Sequence, residues 1–192
     1  MNRHRDQEQL PRNSVLVKSD PTLFEHIEIY SLLHLKKEEI TDDQIKYYMA
    51  TAINWVEDHL GKTLLTTTRE SVSYNNRFVL PYGPVNWSVS DNANNKEIIK
   101  KVIYGKKELK QDEYSIRVCG DSVEIQVPFS WKERALTVQY VAGYSNKEAV
   151  PASLKNAVLG TIEYLFNNNG NVQALEAATA PWLQGYRTYR IV

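Results

Sequence analysis

Cys119 is the only cysteine in a chain of 192 residues. No intrachain disulfide is open to it, and a cysteine-rich zinc site is excluded. A reducing compartment is the natural reading. The chain also lacks an excess of charge, since 23 Lys and Arg stand against 23 Asp and Glu. A protein whose main task is to grip DNA phosphates carries a basic surplus, so a sequence-independent DNA binder is disfavoured. There is no run of about 18 apolar residues. The first residues, Met1-Asn2-Arg3-His4-Arg5-Asp6, have no apolar core of the kind a signal peptide needs. A chain neither exported by a signal peptide nor spanning a membrane is therefore expected, and the Asn86-Trp87-Ser88 sequon is taken as chance.

Enzyme motifs are missing as well. The chain has no glycine-rich phosphate loop, no Gly-x-Ser-x-Gly elbow and no His-Glu-x-x-His. His4, His26, His34 and His59 share no metal-ligand spacing. Cys119 falls beside a hairpin turn, where a small apolar residue suffices. Acidic pairs such as Glu38-Glu39 and Asp42-Asp43 are explained by helix N-termini and solvation. These absences lead us to expect no catalysis, no metal and no cofactor.

What is present is an ordinary globular composition, with 42% apolar and 24% charged residues. Residues 1–20 are polar, contain Pro11 and show no periodicity, so they read as an arm that orders only against a partner, if at all. Thr22-Leu23-Phe24-Glu25 has the form of a capping box and opens a helix over 22–34. A second box, Thr41-Asp42-Asp43-Gln44, opens a helix over 42–60. Its stripe is Ile45, Tyr48, Met49, Ala52, Trp55, Val56 and Leu60, and Gly61 stops it.

From Leu64 the texture turns to Thr, Ser, Val and Tyr, and strands are expected over 65–74, 77–80 and 98–104. Tyr114, Ile116 and Val118 alternate with polar residues, as do Val123, Ile125 and Val127, with Gly120-Asp121 between them: a hairpin. Residues 135–140 alternate in the same way, placing Leu136, Val138 and Tyr140 on one face. Val150-Pro151 then opens a helix over 151–167, on which Leu154, Ala157, Val158, Thr161, Ile162, Leu165 and Phe166 recur at spacings of three and four. Strand and helix here are expected to share one core. A short helix over 172–179 and a tail complete the chain. The order of helices, strands and helices predicts an α+β fold, with an antiparallel sheet over 64–141 inserted between two helical parts. The domain proper would span 21–180, with a docking tail over 181–192.

Charge is unevenly spread. Asp20 to His59 holds nine acids against three lysines, and Lys96 to Lys110 holds six lysines against two glutamates. The lysines Lys96, Lys100, Lys101, Lys106, Lys107 and Lys110 could face DNA, but Glu97, Glu108, Asp112 and Glu113 are interleaved with them, which favours a solvated hairpin face. In the tail, Trp182, Leu183, Tyr186, Tyr189, Ile191 and Val192 are six apolar or aromatic residues within the last eleven, accompanied by Arg187 and Arg190. Trp, Tyr and Arg are the residues that dominate interface hot spots, so the tail reads as a partner-binding segment rather than one folded back on its own domain.

Several words of the sequence, in this order, resemble the head-to-tail connector (adaptor) proteins of tailed bacteriophages. They are Val56 to Leu64 (VEDHLGKTL), Leu80 to Val85 (LPYGPV), Asp112 to Ile116 (DEYSI), Val138 to Tyr144 (VQYVAGY) with Val150 to Lys155 (VPASLK), and Ala180 to Leu183 (APWL) before Tyr186-Arg187. The resemblance covers residues 15–192. It implies a ring of subunits, usually dodecameric, in the neck of a virion assembled in the host cytoplasm. Such a ring lies beneath the portal, continues the DNA channel, and joins a tail or stopper protein without catalysis. It also implies that the tail, through Trp182, Leu183, Tyr186, Arg187, Tyr189, Arg190, Ile191 and Val192, docks on the portal. The acidic excess suits a channel lumen or its rim, for which Glu25, Glu28, Asp42, Asp43, Glu57 and Asp58 are the candidates, since DNA must pass without being held. A DNA-binding module using Lys96 to Lys110 and a tail-completion or stopper protein are the alternatives. The polar arm 1–20 and the Asn167 to Gly170 run depart from the resemblance.

Overall fold

A computed structural model describes residues 12–18, 22–34, 40–85, 98–120, 122–128, 135–171, 173 and 175–183. The fold is α+β and divides into two compact units. Of the described residues, one holds 12–17 with 67–81 and those within 85–142; the other holds those within 18–66, 82–84 and 143–183.

The first unit is built of strands. β1 (Arg12–Lys18), β2 (Thr67–Ser73), β4 (Ile99–Tyr104), β5 (Lys107–Glu108) and β8 (Leu136–Ala142) form a sheet in the order β1-β2-β8-β4-β5. A second sheet takes β3 (Arg77–Val79), β7 (Ser122–Gln126) and β6 (Ser115–Cys119) in the order β3-β7-β6. β8 is the middle strand of the larger sheet. It pairs antiparallel with β2, Thr67 facing Ala142 and Ser73 facing Leu136, and with β4, Ile99 facing Tyr140 and Tyr104 facing Leu136. Its alternation is the reason: Leu136, Val138, Tyr140 and Ala142 are buried while Thr137, Gln139 and Val141 are half-covered. Each buried Val or Leu of this kind stabilises by about 1.5–3 kcal/mol. The β6–β7 hairpin turns at Gly120, whose φ of +59° is the left-handed conformation that such a turn requires. Its inward residues Val123 and Ile125 join Phe78, Val102, Leu136 and Val138 in one apolar cluster.

The second unit is helical. α1 (His26–Leu32), α2 (Asp42–Leu60), α3 (Ala152–Asn167) and α4 (Leu175–Leu183) bury a separate cluster that includes Ile29, Ile45, Ile53, Leu154, Ile162, Leu175 and Leu183. α2 opens as its sequence requires, with the Gln44 N–H donating to Thr41 Oγ1 at 3.3 Å and the Thr41 N–H to Gln44 Oε1 at 3.0 Å. It ends at Gly61, in the left-handed region at φ +61°. α3 buries Leu154, Ala157, Val158, Thr161, Ile162 and Leu165, and the Phe166 ring meets Tyr48 of α2 edge-on at 6.3 Å.

Five expectations are corrected. Residues 12–18 form β1, whereas 1–20 carried no periodic signal; a strand at a sheet edge need not hide one face, so its sequence need not alternate. α1 is capped by Glu25 rather than Thr22, because the working box is Glu25 with Glu28, the Glu25 N–H donating to Glu28 Oε2 at 2.7 Å. The strands form two sheets, not one, since the hairpin pairs with β3 instead of with β8. Strand and helix do not share a core: the buried residues of β8 and of α3 fall in different clusters. The last helix runs on through Pro181 to Leu183. The hydrogen bond that Pro181 cannot donate would have gone to the carbonyl of Ala177, an exposed residue that water can satisfy.

Candidate functional site

The six candidate acids separate into two groups. Four stand where α1 and α2 begin. Asp42 Oδ1 accepts the Tyr30 hydroxyl at 3.0 Å and faces His26 Nδ1 at 3.4 Å. Glu25 Oε1 accepts from Lys147 Nζ at 2.9 Å, and that hydrogen bond, with the ammonium charge behind it, holds the Glu25 carboxyl below its ordinary range. The same bond raises Lys147. Glu28 is engaged in the α1 cap and Asp43 lies exposed in the first turn of α2, where the helix dipole favours it.

Glu57 and Asp58 stand near the far end of α2, roughly 23 Å from Asp42 and Asp43 at 1.5 Å per residue. Asp58 is exposed. Glu57 is not: it is 3% exposed, its Oε1 accepts the Leu64 N–H at 2.7 Å, and its Oε2 lies 3.4 Å from Lys18 Nζ. A carboxylate so placed anchors the chain leaving α2 and offers nothing to a lumen. The sequence hid this, because Glu57 reads as one more acid on a helix surface until the return of Leu64 is known.

The lysine-rich face is compensated in part. Lys101 pairs with Glu108 at 2.9 Å, and Lys107 pairs with Glu113. Glu113 also accepts the Lys110 backbone N–H at 2.9 Å. Its carboxyl is held below the ordinary range, first by the Lys107 hydrogen bond and then by the Lys110 one. A surface that tracks DNA leaves its cations to the phosphates; here the interleaved acids take two of them. Lys96 lies outside the described residues.

Of the tail candidates, Leu183 is fully buried in the helical core, so it packs internally. Tyr186, Arg187, Tyr189, Arg190, Ile191 and Val192 lie outside the described residues, as does the side chain of Trp182. Two of the histidines have local roles: His59 stacks on Trp55 with ring centroids 4.9 Å apart, and His26 faces Asp42. Among the described residues no group of three His, Cys, Asp or Glu is placed to hold a metal ion.

Exposed apolar residues are what the sequence reading missed. Val15, Leu16 and Val17 on β1 are 49%, 46% and 64% exposed, and Ile27 and Tyr47 are 72% and 63% exposed. The available signal was three consecutive apolar residues, Val15-Leu16-Val17, inside an otherwise polar arm.

No protein-family model matches the chain, and no curated protein matches it. Solved structures do. The fold is similar to a chain in the neck of an empty gene transfer agent (GTA) particle computed with C6 symmetry, with a TM-score of 0.68 and 14% identity over 94% of this chain and 97% of that one. It is similar to a chain in the virion of a native GTA particle, at a TM-score of 0.69 and 13% identity over 94% and 97%. A chain in the neck of a native GTA particle computed with C12 symmetry gives 0.67 and 14% over the same shares. The two-unit α+β fold of this chain is thus one that neck chains of a phage-like particle also adopt.

Proposed function

We propose that this chain is a structural neck protein of a phage-like particle: a head-to-tail connector whose copies form a ring beneath the portal and continue the DNA channel towards a tail or stopper protein. The observation that carries the reading is the likeness to neck chains across nearly the full length of both partners. The order of connector-like words along residues 15–192 agrees with it independently. Ring contacts are lateral and heterologous, because a channel needs cyclic closure rather than a two-fold patch. The acidic ends of α1 and α2, with Glu25, Glu28, Asp42 and Asp43, and the exposed Asp58 face the passing DNA or its rim and repel it. Glu57 has no part in this. The aromatic, basic segment after Leu183 serves as a docking arm. Deleting the gene in its particle tests the proposal: filled heads and free tails should accumulate unjoined, and intact tailed particles would overturn it.

A further inference from the structure

The two edges of the five-stranded sheet are treated in opposite ways. β5, at one edge, is two residues long and charged, Lys107-Glu108, which is how native sheets discourage further pairing. β1, at the other edge, is seven residues long and exposes Val15, Leu16 and Val17 at 49%, 46% and 64%. Successive side chains on a strand point to opposite faces, so apolar surface stands uncovered on both sides of this edge. A long apolar edge of this kind is a template for an incoming strand.

Resting on the neck reading above, we infer that β1 of one copy is paired by residues 184–192 of an adjacent copy. Nine residues follow Leu183, where α4 ends in the core, and extended at about 3.3 Å each they reach roughly 30 Å, enough to cover a seven-residue strand. Their composition suits the role: Tyr186, Thr188, Tyr189, Ile191 and Val192 favour extended pairing, and no proline interrupts them. Backbone hydrogen bonds supply the affinity, and the aromatic and β-branched side chains cover Val15, Leu16 and Val17. The resemblance assigns this arm to the portal; the sheet edge offers it a different acceptor. Donor and acceptor are different surfaces, so pairing between copies is heterologous and propagates around a ring, whereas pairing within one copy would add nothing to closure.

The test places a photo-cross-linking amino acid at Leu16 in the full-length chain, in an equal mixture of 14N- and 15N-labelled protein, alone and with portal, with rings scored in micrographs. Cross-links from Leu16 to residues 184–192 in mixed-isotope pairs are expected, and Thr188→Pro, which bars regular pairing, should abolish them. Rings without such cross-links, cross-links confined to one isotope, or cross-links from Leu16 to portal would each overturn the inference while the neck reading stands. Mixed-isotope cross-links in an assembly that is not a ring would uphold the strand pairing and overturn the neck reading.

Discussion

The Glu57 carboxylate reaches beyond the end of its own helix and accepts the Leu64 backbone N–H at 2.7 Å, with Glu57 itself only 3% exposed. The contact fixes the direction in which the chain leaves α2. Glu57→Ala leaves a buried donor without its acceptor and should cost about 1–3 kcal/mol in denaturant unfolding. Lys18→Met, which removes the part-exposed ammonium at 3.4 Å together with its bond to Asn54 Oδ1 but leaves the Leu64 contact in place, should cost less than Glu57→Ala. Equal effects from the two would show that the ion pair, not the backbone contact, is the anchor.

Gly143 has φ +105°, and a Cβ there would stand 2.4 Å from the Leu65 carbonyl oxygen. Gly61 has φ +61° and nothing within 4 Å of the same atom. The two glycines therefore separate strain from collision. Gly61→Ala should cost about 1 kcal/mol, the price of a left-handed alanine, and Gly143→Ala about 3 kcal/mol or more, because backbone must move as well. Thermal or urea melts of the pair would decide, and a mild Gly143→Ala would refute the close approach.

The Glu25–Lys147 pair should appear in a titration. The folded Glu25 carboxyl lies below the ordinary value of 4.5, so the pair's contribution is present above about pH 4.5 and is lost as pH falls through the lower folded value. Lys147 is raised above 10.5, so on the alkaline side the contribution persists to that range and is lost beyond it. In Lys147→Met the Glu25 midpoint, followed by carboxyl NMR shifts, should move back up towards its ordinary value. An unchanged midpoint would show that the contact does not persist in solution.

The end of α4 sets where the chain can be shortened. Removing 184–192 should leave the fold intact and abolish attachment to a neighbour. Removing 182–192 also deletes Leu183, which is fully buried, and should destabilise the helical unit by about 2–5 kcal/mol. Circular dichroism melts of the two truncations distinguish these outcomes; equal stability would place Leu183 outside the core.

Much of the fold was legible because local rules agreed with tertiary ones. Thr41 with Gln44, the stripe from Ile45 to Leu60 and the stop at Gly61 all define α2, and the alternation through Leu136, Val138 and Tyr140 defines β8. The failures have physical causes. β1 was silent because an edge strand can carry Val15-Leu16-Val17 in the open without a periodic face. The division into two cores was silent because periodicity tells which face is buried, not against what: the inward rows of β8 and α3 look alike in sequence and pack in different clusters. Among the candidate residues, Glu57 misled because an acid on a helix announces solvent until a distant backbone N–H arrives beside it.

The central claim is that copies of this chain close into a ring. Cryo-EM class averages of the purified protein, imaged alone over a range of concentrations and again with portal, test it most directly. The account predicts rings with a central channel, favoured by concentration or templated by the portal. A protein that remains a compact two-fold dimer under both conditions would contradict it.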